Sequence, residues 1–228
     1  MIRCPECSAG ALAAITVPVH ALALRAPWPL APPGPPAPVA NRIPVARSRP
    51  FLLLATAFTR SGFSVYAALM SLIALLGERG ASPPTTAWAL GLGGAGQTLG
   101  RALYGSLAAH TAVTTRTVTL IGLGGAAAAS LALAPSPMPL LIGLAVLARV
   151  VRSNLTLLQA TAVTDRWGTT HYGPLSALLG APIHVAAALA PWAGAALAGP
   201  LGGYPQLFAV LAAVSVTAAI LVFTAERT

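Results

Sequence analysis

The sequence contains no lysine, and its 228 residues carry only four acidic side chains. Charged residues make up 7% of the chain, against about 25% in soluble domains. So few charges cannot cover a water-facing surface, which excludes an ordinary soluble domain. The shortage of acids leaves a formal net charge of +9, carried entirely by arginine. These arginines are thinly spread, and several lie inside apolar runs rather than on a solvated stripe. A nucleic-acid partner is therefore excluded.

Cysteine is equally scarce. Cys4 and Cys7 form one C-P-E-C pair with no second pair to complete a metal site. They read as incidental to the N-terminus. The stretch Gly122-Leu-Gly-Gly lies in mid-span without a following lysine, so it is no phosphate loop. No Ser/His/Asp constellation stands on a plausible scaffold. The expectation is a protein that is not an enzyme and has no cofactor and no metal.

What is present is apolar: 56% hydrophobic residues and a mean hydropathy of +0.78. Residues 1–26 hold a proline-interrupted apolar run. It is too long and too broken for a good signal peptide and reads as an N-terminal transmembrane helix. Residues 27–50 are proline-rich, which favours an extended linker. Within 51–228, six apolar segments follow, near 51–76, 86–108, 117–134, 138–163, 174–198 and 204–223. Each is near the ~20 residues that span ~30 Å of hydrocarbon. Gly and Pro clusters separate several of them. The fold expected is an all-α polytopic transmembrane helix bundle.

Arginine counts give an orientation. Arg42, Arg47 and Arg49 of the linker, Arg116, Arg166 and Arg227 collect on one side, which is expected to be cytoplasmic. The linker and the C-terminus then both face the cytosol, in a multi-pass protein of the plasma membrane.

The stretch 88–110 combines two features. Ala89, Gly93, Gly96 and Gly100 form one smooth helical stripe, suited to close helix packing in lipid. Gln97, Arg101 and Tyr104 make a polar track on the adjoining face. The stripe is expected to meet a moving partner, and the track to border a cavity.

Other polar groups lie inside spans. Arg60 shares a face with Ser64 and Ser71. Arg149 and Arg152 share one with Thr156 and Gln159. A mid-bilayer arginine costs at least ~2.5–3.5 kcal/mol on insertion scales, so it normally faces a cavity or a partner. Arg60, Ser64, Arg149, Arg152, Gln97 and Arg101 are therefore the substrate and cavity candidates. No acidic residue lies in mid-span, and this excess of positive charge favours an anionic ligand. His184, after Pro182, is the proton-relay candidate, set against simple hydrogen bonding to a neighbouring helix. The sequon at Asn154 falls within a span and is discounted.

Three stretches carry a family resemblance: ERGAS followed by GLGGAGQTLGRALYGSLAAH (78–110), RSNLTLLQATAVTDRWGTTHYGPLSALLG (152–180) and APWAGAALAG (190–199). Their order and spacing resemble the C-terminal six-helix half of a major facilitator superfamily transporter, preceded by its sixth helix and central loop. The family's G-x-L-A-D-R-x-G-R loop is matched at Gly105, Leu107 and Ala108. Ala109 and His110 stand where Asp and Arg are expected, and Arg116 lies two positions beyond the expected basic pair.

The resemblance implies three-plus-three inverted repeats, a cavity lined by the first and fourth helices, and an interface formed by the second and fifth. It implies transport of a small solute by alternating access, with an organic anion or drug-like molecule among the candidates. A single half supplies one wall of the cavity. The partners expected are therefore the lipid bilayer, a small-molecule substrate, and a second six-helix half or a homodimer. The other readings are a truncated, inactive fragment and a non-transporting membrane subunit that uses the glycine stripe of Gly93, Gly96 and Gly100 only for association.

Overall fold

The computed structural model describes residues 45–134 and 137–225, together with Ala14, Val17, Pro18, Ala21 and Leu22. The chain divides into two units, Met1–Ala37 and Pro38–Thr228. In the first, the five described residues are helical. The remainder of the expected N-terminal helix, the C-P-E-C pair, most of the linker, and Glu226 and Arg227 lie outside the described residues.

Among its described residues, the second unit holds six long helices: α1 (Arg49–Glu78), α2 (Pro83–His110), α3 (Val113–Leu133), α4 (Met138–Trp167), α5 (Tyr172–Leu201) and α6 (Tyr204–Ala225). Their starts follow from local chemistry. Ser48 and Ser82 cap α1 and α2, each accepting a hydrogen bond from a first-turn amide, and prolines occupy the first turn of both helices. The α5–α6 connection turns at Gly202 and Gly203, with φ of 92° and 126°, a region closed to most side chains.

Packing follows a two-fold pattern. α1 packs on α5 and α6, α4 packs on α2 and α3, and α3 packs on α6. Exchanging α1 with α4, α2 with α5 and α3 with α6 leaves this pattern unchanged. Since α1 and α4 run in opposite directions, the two helix triplets are inverted repeats. Buried Phe58, Ile121, Leu158 and Val222 belong to one core cluster; Leu75, Leu141 and Phe208 belong to another.

Five of the six helices are long and apolar enough to cross a membrane. The exception is α2, expected from sequence to be apolar enough. It has ample length at 28 residues, but Gln97, Arg101 and its glycines keep its hydropathy below that of the others. Its large residues Trp88, Leu92, Leu99 and Leu103 point outward, while Ala89, Gly93, Gly96 and Gly100 are buried. Small residues inside and large apolar residues outside is the arrangement of a helix packed in lipid, where only close backbone approach favours association.

Candidate functional site

The glycine stripe of α2 is covered by α4. A Cβ on Gly96 would stand 2.9 Å from Val146 Cγ1, and one on Gly100 would stand 2.6 Å from the Val150 carbonyl oxygen. The stripe is thus filled within the bundle, and the expected contact with a moving partner outside it is replaced by this one. The reason is geometric: α2 runs parallel to α4 and in contact with it, from Gly93 beside Arg149 to Tyr104 beside Thr161, and only hydrogen atoms at the glycine positions let the two backbones approach.

That approach places Arg149 and Arg152, three residues apart on one face of α4, beside a small cavity. The cavity measures about 50 Å³ and lies among α1, α3, α4 and α6. Its polar lining is Ser64, Arg149, Arg152 and Ser215; the rest is aliphatic apart from Phe208. Ser215 donates to the Leu211 carbonyl of its own helix. Ser64 Oγ and the Nε atoms of Arg149 and Arg152 are buried with no hydrogen-bond partner. The Arg152 guanidinium carbon lies 5.0 Å from the centre of the Tyr66 ring on α1.

Tyr66 also lines a second hollow, a groove of about 310 Å³ among α1, α4 and α5. Thr156, Gln159, Tyr172, Ser176 and His184 give it a polar lining. His184 is exposed there, and its Nδ1 donates to the Gly180 carbonyl oxygen at 2.7 Å, one turn back on the same helix.

The structure separates the sequence candidates. Ser64, Arg149 and Arg152 come together at the small cavity, and His184 lines the groove. Arg60, one turn from Ser64, is exposed and donates through Nη1 to Thr217 Oγ1 of α6 at 3.1 Å. Gln97 and Arg101 line neither hollow, and Arg101 is exposed. Of the polar track on α2, Tyr104 alone is buried, with its hydroxyl 3.0 Å from Thr161 Oγ1 on α4.

The two ends of the bundle carry a feature that sequence reasoning missed. At the end where α2 meets α3, Arg116 is 5% exposed, and its Nη2 donates to Asp165 Oδ2 at 2.7 Å. Its Nη1 donates to the Ala108 and Thr111 carbonyls, and its guanidinium faces the Tyr104 ring. Arg166 donates to Thr117 Oγ1 at 3.0 Å. At the opposite end, Glu78 Oε2 accepts from the Tyr204 amide at 3.1 Å, and Arg79 donates to the Ala132 and Ala134 carbonyls. Each repeat therefore ends its first helix in an acid–arginine dipeptide, Glu78-Arg79 at the end of α1 and Asp165-Arg166 in the last turn of α4. The available signal was this internal recurrence.

A bundle of inverted helical repeats with a polar hollow against its apolar exterior is the architecture of a multi-pass membrane transport protein. The family model described as Major Facilitator Superfamily matches residues 52–228, and the chain belongs to that family. Its general function is transport of a solute across a membrane, and the family's members are transporters rather than enzymes. A comparison with curated proteins finds no match.

Proposed function

We propose that the six helices form one half of an alternating-access transporter of the plasma membrane, and that its solute is a small organic anion. The observation that carries this reading is the arginine pair of α4. Arg149 and Arg152 line the small cavity with buried, unpartnered Nε atoms, Arg152 lies over the groove residue Tyr66, and among the described residues no acid lines either hollow. Positive charge without an internal carboxylate favours a negatively charged ligand.

Size divides the two hollows. Pockets for organic ligands measure about 300–1,000 Å³. The groove of about 310 Å³ reaches that range, and the cavity of about 50 Å³ does not. The solute therefore occupies the groove, with Gln159, Thr156, Tyr172 and Ser176 as hydrogen-bonding groups and Arg152 supplying charge from behind Tyr66. His184 is the group available there to move a proton. The groove opens at the bundle surface, and a second six-helix half, from another copy or a separate chain, closes it. The end bearing Arg49, Arg116 and Arg166 faces the cytoplasm by the arginine rule.

The test is uptake of a panel of radiolabelled small carboxylates and drug-like cations by proteoliposomes, with Arg152→Gln alongside. Saturable carboxylate uptake that Arg152→Gln abolishes supports the reading. Carboxylate uptake indifferent to Arg152→Gln, or cation uptake alone, overturns it. Absence of any uptake from a correctly inserted chain favours the non-transporting subunit.

A further inference from the structure

The groove accounts for an organic solute, but it leaves the small cavity behind Arg149 and Arg152 unexplained. We propose that this cavity is a separate binding site for a small inorganic monovalent anion, of the size and charge of chloride. The site does not depend on the transport reading; it follows from the cavity and its lining.

Charge comes first. Two arginines on adjacent turns of α4 flank one cavity, each with its Nε buried and unpartnered. Both side chains are half-buried, so their charges are only partly hydrated, and two like charges this close favour a compensating anion. Among the described residues, no acid supplies it. Glu78 is engaged with the Tyr204 amide and Asp165 with Arg116, at opposite ends of the bundle. Glu6 and Glu226 lie outside the described residues.

The donors come next. Ser64 is 3% exposed, and its Oγ has no hydrogen-bond partner. A buried hydroxyl without a partner is itself costly, and here it lines the same cavity as the two arginines. Three residues of α1 and α4 with unpartnered polar atoms therefore line one space. Ser215 spends its own proton on the Leu211 carbonyl.

Size completes the assignment. A buried water needs roughly 10–15 Å³ of such space, so about 50 Å³ holds a few atoms of that size. A halide fits, with a water or two. The aliphatic remainder of the wall, Leu72, Ala128, Leu131 and Leu155 among it, suits a weakly hydrated ion. The missing side chain of Gly93 leaves room for the Arg149 stem against α2, at the edge of the cavity's α4 wall.

The experiment is equilibrium binding of radiolabelled chloride to the purified full chain in lipid nanodiscs, in gluconate buffer of constant ionic strength. No solute and no uptake enter the measurement, so its failure and a failure of the transport reading are separate results. One saturable site is expected, displaced by bromide and not by gluconate. Ser64→Ala should weaken it about tenfold, a loss of one hydrogen bond to a charged group. Arg149→Gln should weaken it further. Ala148→Leu, which fills the cavity with an apolar side chain, should abolish it while far-UV dichroism and elution volume stay unchanged. Should Ala148→Leu fail to fold, Ser64→Ala decides, since it removes one oxygen and no packing volume. The proposal is overturned if the folded chain binds no chloride saturably, or if Ser64→Ala and Arg149→Gln bind it as the parent chain does.

Discussion

A Cβ placed on Gly93 would stand 3.0 Å from Arg149 Cγ, so the arginine side chain of α4 lies directly against the bare backbone of α2. The two features that mark α2 and α4 in the sequence, a glycine stripe and a mid-span arginine, are therefore one structural unit. The stripe is what makes room for the charge.

This yields an ordered prediction for two glycines. Gly93→Ala meets the flexible stem of Arg149, which can swing aside, so the cost in stability should stay below about 1 kcal/mol. Gly100→Ala meets the Val150 carbonyl at 2.6 Å, a backbone atom that moves only if the helices part. Its cost should be about 1–3 kcal/mol. Thermal unfolding of the two variants in detergent reads the difference, and the reverse order would contradict the packing described.

The Arg116–Asp165 pair allows a sharper comparison. Asp165→Ala leaves a cation at 5% exposure with carbonyls and the Tyr104 ring as partners but no counter-charge. Arg116→Met leaves a carboxylate that is 25% exposed and can hydrate. Stranding the buried charge should cost the more, on the order of 3 kcal/mol, and Arg116→Met clearly less. Comparing unfolding midpoints of the single variants and the double variant tests this; equal losses would show that packing, not charge, dominates.

The opposite end supports a prediction about helix ends. Glu78 accepts from the first amide of α6, and Arg79 donates to the last carbonyls of α3, so both ease the unsatisfied groups of a terminus and oppose its dipole. Glu78→Gln keeps an acceptor and loses only the charge, at about 0.3–1 kcal/mol. That loss should shrink as salt is raised. Arg79→Ala removes both donors and should cost more, with little salt dependence in the excess. Hydrogen exchange at the α6 N-terminus distinguishes the two, since only Glu78→Gln should accelerate it.

The helices were legible in the sequence because a span announces itself by length and apolarity. The segment expected near 138–163 is α4, and that expected near 204–223 is α6, each within a few residues. The inverted repeats were reached through a family likeness, since nothing in the apolar pattern specifies which helix touches which. The glycine stripe was visible, but its partner was not: Gly96 and Gly100 report that something comes close without naming Val146 or Val150. Likewise each intramembrane arginine was visible, but helical spacing alone could not send Arg60 to Thr217 and Arg149 to the cavity. Those outcomes depend on the rotation of each helix, which long-range packing sets. The end clamps escaped notice because an acid next to an arginine reads as an ordinary polar loop until the opposite helix end is in place.

The Tyr66 ring carries the last prediction. Arg152 sits over the Tyr66 ring at 5.0 Å, and Tyr66 is also a groove residue, so the ring seats the guanidinium and links it to the groove. A cation over an aromatic face gains about 0.5 to 2 kcal/mol, according to how far the pair is desolvated. Tyr66→Phe keeps the ring and should leave the KM for carboxylate uptake near its parent value. Tyr66→Leu removes the ring and releases Arg152, so KM should rise by roughly 2- to 30-fold, the same energy expressed as a ratio. Chloride affinity should change in Tyr66→Leu as well, because the same guanidinium lines the inner cavity. A variant that alters uptake while leaving chloride binding untouched would show that the ring acts on the solute directly and not through Arg152.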